Sequence, residues 1–251
     1  MKKEKLFLSS IAPSVGALAR KYGLGVELAD FCIVSNLDGR RKNADNMVNG
    51  KLWGVRRNIL HGPFNELFPC AIDLRARELA RYRYIQTLKA AKEYQSERIV
   101  LHSGYAPQFY YDCWFVEKSA EFWQEFFRSF PIEKTICLEN VLETRPEPLL
   151  QVLEAVNNPR LRVCLDVGHI GAYSQVPVMT WLETLAPWIS HVHLHNNQGQ
   201  VDSHDALYEG VVPMEEFLRS AGEIIPETTY TLELTDPEPS VQWLLEKGLL
   251  E

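Results

Sequence analysis

Six residues able to ligate a metal or move a proton are spread along the chain: His61, His102, Glu139, Asp166, His193 and Glu233. His169 follows Asp166 by three positions, and Asp202 and His204 come soon after His193. Imidazole and carboxylate together suit Zn²⁺, Mn²⁺, Fe²⁺ or Co²⁺. The five cysteines (Cys32, Cys70, Cys113, Cys137, Cys164) form no Cys-x-x-Cys pair, which argues against a thiolate site. A catalytic divalent ion is the simplest use of such a set. The run His191-Val192-His193-Leu194-His195 adds geometry, because alternation along a strand sends all three imidazoles to one side. His191 is then expected deeper, as a packed core group, and His195 nearer substrate or solvent. Any one of these residues, taken alone, reads equally well as a hydrogen-bonded structural group or a helix cap.

What could gather them is a fold, and hydrophobic periodicity supplies one. Short apolar, β-branched runs alternate with longer segments of helical period, the pattern of repeated βα units. Eight strands are predicted: Leu6 to Ser9, Gly25 to Ala29, Asn58 to His61, Arg98 to His102, Thr135 to Glu139, Arg162 to Asp166, Ser190 to Leu194 and Thr229 to Leu234. Helices are predicted over Asp73 to Tyr94, Trp114 to Ser129, Glu147 to Val156, Val178 to Leu185, Met214 to Ala221 and Pro239 to Lys247. The six residues fall at or beside the carboxyl ends of the third to eighth strands. In a parallel barrel those ends share one face, where active sites are built, so six distant positions become one cluster. An open doubly wound sheet shares the alternation but does not need eight strands, and no Gly-rich phosphate fingerprint follows any of them. The expected fold is α/β, a (β/α)8 TIM barrel in a single domain over residues 1–251, an ordinary length for one.

Composition narrows the class. With 46% hydrophobic and 24% charged residues the chain is globular, and a net charge of -7 disfavours nucleic acid as a partner. Scattered cysteines in odd number suit reduced thiols and a cytoplasmic location. Met1 to Leu8 loosely mimics a secretory leader, with Ala17-Leu18-Ala19 as a cleavage-like site, but Pro13 and Gly16 break the apolar run and Leu6 to Ser9 reads better as the first strand. No run of about 18 apolar residues is present to span a membrane.

Two loops on the expected active face bear on the substrate, a small molecule. After the second strand, Arg40, Arg41, Lys42, Lys51, Arg56 and Arg57 outnumber Asp38 and Asp45, which suits a phosphorylated or otherwise anionic group or, equally, a solvated helix and turn. After the fourth, Tyr105, Phe109, Tyr110, Tyr111, Trp114 and Phe115 could wall a pocket, pack over a helix or bury the interface of a homo-oligomer.

The ordered motifs Leu101-His102-Ser103-Gly104, Cys137-Leu138-Glu139-Asn140, Cys164-Leu165-Asp166-Val167-Gly168-His169, His191 through Gly210 with Asp202-Ser203-His204 and Glu209-Gly210, and Leu232-Glu233-Leu234 resemble the xylose isomerase-like barrels over most of the chain. That superfamily includes sugar and sugar-phosphate isomerases and epimerases, and also endonuclease IV. Similarity to the isomerases implies one Mn²⁺-like ion on Glu139, Asp166, His193 and Glu233. It also implies that Glu139 and Glu233 exchange protons through an enediolate and that His169 contacts a hydroxyl. His195, Glu209, Arg40 and Arg41 are the expected substrate contacts.

One ion leaves His61, His102, Asp202 and His204 without a task. Similarity to endonuclease IV employs them, because that family's three zinc ions use nine ligands whose counterparts here would be His61, His102, Glu139, Asp166, His169, His193, Asp202, His204 and Glu233; a hydrolase of this kind implies two or three ions. The sequence departs from that family at His195-Asn196-Asn197, where endonuclease IV carries an Asn-Asp-Ser-Lys pattern, and the acidic charge opposes DNA. Hydrolysis of a small molecule stays open, including the amide hydrolysis of cobamide-remodelling relatives. Ser103 and Cys164 sit in no elbow or dyad that would activate a nucleophile. A noncatalytic sugar-binding barrel is the remaining alternative.

Overall fold

The computed structural model describes residues 1–130 and 133–251. Eight parallel strands pair in chain order and close, β8 against β1. They are β1 (Leu6–Ser9), β2 (Gly25–Leu28), β3 (Asn58–His61), β4 (Arg98–His102), β5 (Thr135–Glu139), β6 (Leu161–Asp166), β7 (Ile189–Leu194) and β8 (Thr229–Leu232). Helices α1 (Val15–Tyr22), α2 (Arg41–Leu52), α3 (Leu74–Glu93), α4 (Asp112–Ser129), α5 (Glu147–Val156), α6 (Val167–Tyr173), α7 (Val178–Leu185), α8 (Met214–Ile224) and α9 (Glu238–Glu246) surround them. This is the expected (β/α)8 barrel, with strand boundaries within two residues of those predicted.

Period-two alternation sorts each strand into two sets. Leu6, Leu8, Val26, Leu28, Leu60, Ile99, Leu101, Ile136, Leu138, Val163, Leu165, Val192 and Leu194 join the large core shared with the helices. Phe7, Ile59, Val100, Cys137 and Cys164 form a separate buried cluster inside the barrel. Gly25 completes that layer by leaving room, since a Cβ there would stand 2.2 Å from the Phe7 ring. Two residues further along the same strands come Ser9, Glu27, His61, His102, Glu139 and Asp166. An apolar plug thus floors a polar layer at the carboxyl ends.

Local chemistry sets the element ends. Asp73 caps α3 by accepting from Arg75 N at 2.8 Å, and Gly23, at φ +73°, ends α1 in the left-handed conformation. Ala17, Leu18 and Ala19 lie within α1, and Leu6 to Ser9 is a fully buried barrel strand. Three helices are not evident from periodicity: α1, α2 and α6, the last starting immediately after Asp166. β8 stops at Leu232, but the Glu233 N–H still donates to Leu194 O at 3.2 Å, so Glu233 keeps its place beside β7. Among the described residues, no helix is long and apolar enough to cross a membrane.

Candidate metal centre

His193, from β7, is the centre of the polar layer. It is wholly buried, and its Nδ1 has no hydrogen-bond partner among the described residues. Three carboxylate oxygens converge on that atom: Glu233 Oε2 at 3.3 Å, Glu139 Oε1 at 3.5 Å and Asp166 Oδ2 at 3.5 Å. These are long for hydrogen bonds but natural for co-ligands. Atoms about 2.1 Å from a common ion stand about 3.0–3.4 Å apart in octahedral or tetrahedral geometry. An orphaned imidazole nitrogen facing three carboxylates is the donor set of a divalent cation, so the residues fit such an ion.

The remaining imidazoles ring this centre. His61 Nε2 lies 3.0 Å from Glu139 Oε2, and His102 Nε2 lies 3.6 Å from the same oxygen. His169 reaches Asp202 Oδ2 with Nε2 at 3.1 Å, and Asp202 also faces His204 Nε2 at 3.3 Å. His195 is fully buried, not solvent-facing; its Nε2 lies 3.0 Å from the Asp166 carboxylate and its ring stacks on His204 with centroids 3.9 Å apart. Several groupings bring candidate ligand atoms within 4.8 Å of one another, among them His61, His102 and Glu139; Asp166, His169 and His195; His195, His204 and Glu233; Glu27, His61 and His193; and Cys164, His191 and His193.

Burial alone would neutralise these carboxyls, but the imidazoles overcome it. Burial pushes Glu139 up, yet the His193 and His61 imidazoles beside it hold it well below the usual carboxylate range. Asp166 is buried too and is kept low by His169 and His195, as Glu233 is by His193. Burial drives His102 down to about 4, which leaves it neutral with a lone pair to offer. The layer is therefore rich in ionised carboxylates, a charge that a dication complements.

Above it opens a cavity of about 490 Å³. His61, His102, Glu139, His169, Asp202, His204 and Glu233 supply its polar lining, and Ile11, Ile33, Phe64 and Val141 its apolar wall. Phe64 is held by stacking on His102, ring centroids 4.1 Å apart. Asp166, His193 and His195 lie beneath this surface. No lysine or arginine lines the cavity among the described residues.

The nine residues expected as ligands are thus brought together, and of the other expected contacts His195 alone joins them, buried beneath the cavity. Arg40 and Glu209 are exposed and outside the lining; Arg41 pairs with Asp45 and Glu93 on the flank of α2. The aromatic stretch splits as well. Tyr105 stacks on Phe115 in the core, Trp114 donates to Cys70 O at 2.8 Å, and Phe109 and Tyr111 are exposed. His191 is the packed core group expected, between Thr229, Thr231 and Glu27.

Sequence reading passes over Glu27 and Asn140. Glu27, at the end of β2, is 1% exposed and accepts from the Nε2 atoms of both His191 and His193 at 3.0 Å. A signal is present: a lone acid in a short apolar strand, in the same strand-end position as the other six. Asn140, next to Glu139, clamps Asp166 by donating to its backbone O at 3.0 Å and accepting from its N at 2.9 Å.

A closed parallel barrel that gathers histidines and carboxylates around an orphaned imidazole nitrogen defines a class of (β/α)8 protein built around a polar strand-end centre. The chain belongs to the xylose isomerase-like TIM barrel family, whose model matches residues 40–247. It is 27% identical over 176 residues to the uncharacterized protein MJ1311 of Methanocaldococcus jannaschii, a match over 66% of this chain and 60% of that protein's length. A structure described as a D-tagatose 3-epimerase-like protein is similar with TM-score 0.79 and 23% identity, covering 97% of this chain and 96% of that one. The TTHB071 protein from Thermus thermophilus, soaked with ZnCl₂, is similar with TM-score 0.78 and 25% identity, covering 97% of each chain.

Proposed function

We propose that this protein is a divalent-metal-dependent sugar isomerase or epimerase. The observation that carries this reading is the convergence of Glu139, Asp166 and Glu233 on the unpartnered Nδ1 of His193, at the floor of a cavity of about 490 Å³. Those four residues would hold one ion of the Mn²⁺, Zn²⁺, Co²⁺ or Fe²⁺ type. When bound, it would polarise a substrate carbonyl and acidify the adjacent C–H. A D-tagatose 3-epimerase-like protein of the same fold and a similar protein soaked with ZnCl₂ support the reading.

Proton transfer falls to the two glutamates. Glu139 arrives from β5 and Glu233 from the end of β8, so they approach the cavity from strands three apart in the barrel. Glu139, held ionised, accepts the proton from the carbon beside the carbonyl. Glu233, which must first take up a proton against the pull of His193, returns one to the opposite face of that carbon in epimerisation or to its neighbour in isomerisation. His169 and His204 offer hydrogen bonds to hydroxyls, while Phe64, Ile33 and Val141 lie against the C–H face of the sugar. The lining carries no lysine or arginine among the described residues, and its histidines His61, His169 and His204 already face Glu139 and Asp202, so the cavity favours an uncharged sugar over a phosphorylated one.

Incubation with a panel of free ketoses in deuterated water tests this. Wild type is expected to exchange the hydrogen beside the carbonyl, and Glu139→Gln and Glu233→Gln to lose at least about 100-fold of that rate. Persistent exchange in both variants would remove the assigned bases.

A second reading has its own support. His61 and His102 group with Glu139, and His204 with His195 and Glu233, giving more ligands than one ion uses. Two or three ions would suit metal-assisted hydrolysis of a phosphodiester or of an amide in a small molecule. Elemental analysis after purification without chelator separates the two: about one ion per chain for the isomerase, two or three for the hydrolase.

A further inference from the structure

The site imidazoles present different nitrogens, and their hydrogen bonds say which. His61 Nδ1 lies 2.9 Å from Gly62 O, His169 Nδ1 2.8 Å from Asn140 O and His204 Nδ1 2.7 Å from Glu233 O. A carbonyl only accepts, so each of these Nδ1 atoms carries a proton and each ring offers Nε2 to the cavity. His193 is reversed. Its Nε2 faces Glu27 Oε1 at 3.0 Å and its Nδ1 faces Glu139, Asp166 and Glu233.

We infer that Glu27 is a positioning residue for the metal centre: by accepting from His193 Nε2–H it fixes the ring and the tautomer that turn the Nδ1 lone pair toward the three carboxylates. This rests on the metal reading proposed above and assigns a task to a residue outside the ligand set. Glu27 is not itself a free ligand, because its other oxygen, Oε2, is taken by His191 Nε2 at 3.0 Å and Thr231 Oγ at 2.5 Å. Two imidazole donors and a hydroxyl converge on one buried side chain. Only a carboxylate offers acceptors to all of them; an amide at the same position turns an N–H₂ toward one of the donors. Carboxylates behind ligating histidines raise ligand basicity and set ring orientation, and their loss costs about 10- to 100-fold in metal affinity.

The test uses the whole chain, stripped with chelator and titrated with Mn²⁺ and Zn²⁺. Glu27→Gln is expected to bind the same number of ions as wild type with a Kd raised about 10- to 100-fold. Thr231→Val, which removes a neighbour of Glu27 but nothing of His193, is expected to stay within about threefold of wild type. A second measurement needs no variant. In ¹⁵N-histidine-labelled protein loaded with Zn²⁺, NMR is expected to show one imidazole ligated through Nδ1 with its Nε2 proton retained, against Nε2 ligation elsewhere. Wild-type affinity in Glu27→Gln, loss of a whole bound ion in that variant, or Nε2 ligation throughout would each overturn the role given to Glu27. A wild-type protein that takes up no ion would overturn the metal reading first and this inference with it.

Discussion

At the scale of single residues, the centre depends on which atoms are left without a partner. A buried imidazole nitrogen without a hydrogen bond costs stability unless something binds it; His193 Nδ1 and His195 Nδ1 are both such atoms, and the three carboxylates facing His193 Nδ1 make it the one that identifies the site. Close packing beneath it is equally restrictive. A Cβ on Gly168 would stand 2.0 Å from His195 Cε1, and that ring is fully buried against Asp166. Gly168→Ala is therefore expected to destabilise the fold by about 1–3 kcal/mol and to weaken metal uptake, read by urea unfolding and by titration. Gly222→Ala is the contrast, since nothing lies within 4 Å of a Cβ in that turn of α8. It should leave metal uptake unchanged and add about 0.5–1 kcal/mol through helix propensity. Single residues are also where the sequence is most unevenly informative. His191 is recognisable as core by its depth in an alternating run, whereas Glu27 escapes notice because one acid in a four-residue strand has no partner visible along the chain.

Elements turn these residues into a site. Adjacent strands β5 and β6 deliver Glu139 and Asp166 to the same imidazole of His193, and Asn140 locks the two strand ends together with a reciprocal pair of hydrogen bonds. Asn140→Ala leaves a buried backbone N–H and C=O of Asp166 without those partners. The expected cost is about 1–3 kcal/mol in denaturant unfolding, with a weaker ion affinity because Asp166 is no longer held in register. The segment after β7 behaves as a second clamp. Asn197 Nδ2 donates to Gly168 O at 2.7 Å, and Asn196 and Asp205 exchange backbone hydrogen bonds, so Asp202 and His204 are carried back over the centre. Periodicity cannot foresee this, because the loop has no repeating pattern and its shape comes from long-range hydrogen bonds. The same limit explains Arg40 and Arg41. Charge counting draws a basic patch, but α2 turns Arg41 to Asp45 and Glu93, away from the cavity.

For the whole molecule, barrel closure sets an electrostatic problem and points to its solution. Glu27, Glu139 and Asp166 are each no more than 1% exposed, and Glu233 stands beside them. Their mutual repulsion is offset in part by the surrounding imidazoles, and a bound dication would offset more. Chelator treatment is accordingly expected to lower Tm, with recovery on adding back Mn²⁺ or Zn²⁺. An ion at about 100 times its Kd contributes about 2.7 kcal/mol, which for a chain of this size raises Tm by about 5–10 °C in calorimetry. A Tm indifferent to chelator and to both ions would count against any bound metal.

Most of the architecture is legible along the chain because a strand's inner face is fixed by alternation and eight βα units admit few closures. The positions of His61, His102, Glu139, Asp166, His193 and Glu233 at strand ends follow from that local rule. Tertiary structure alone decides which imidazole nitrogen each histidine presents, that Glu27 stands behind His193, and that Arg41 after β2 is turned away. Those outcomes depend on hydrogen bonds and ion pairs between residues far apart in the chain, such as His193 and Glu27 at a separation of 166, and no local pattern encodes them.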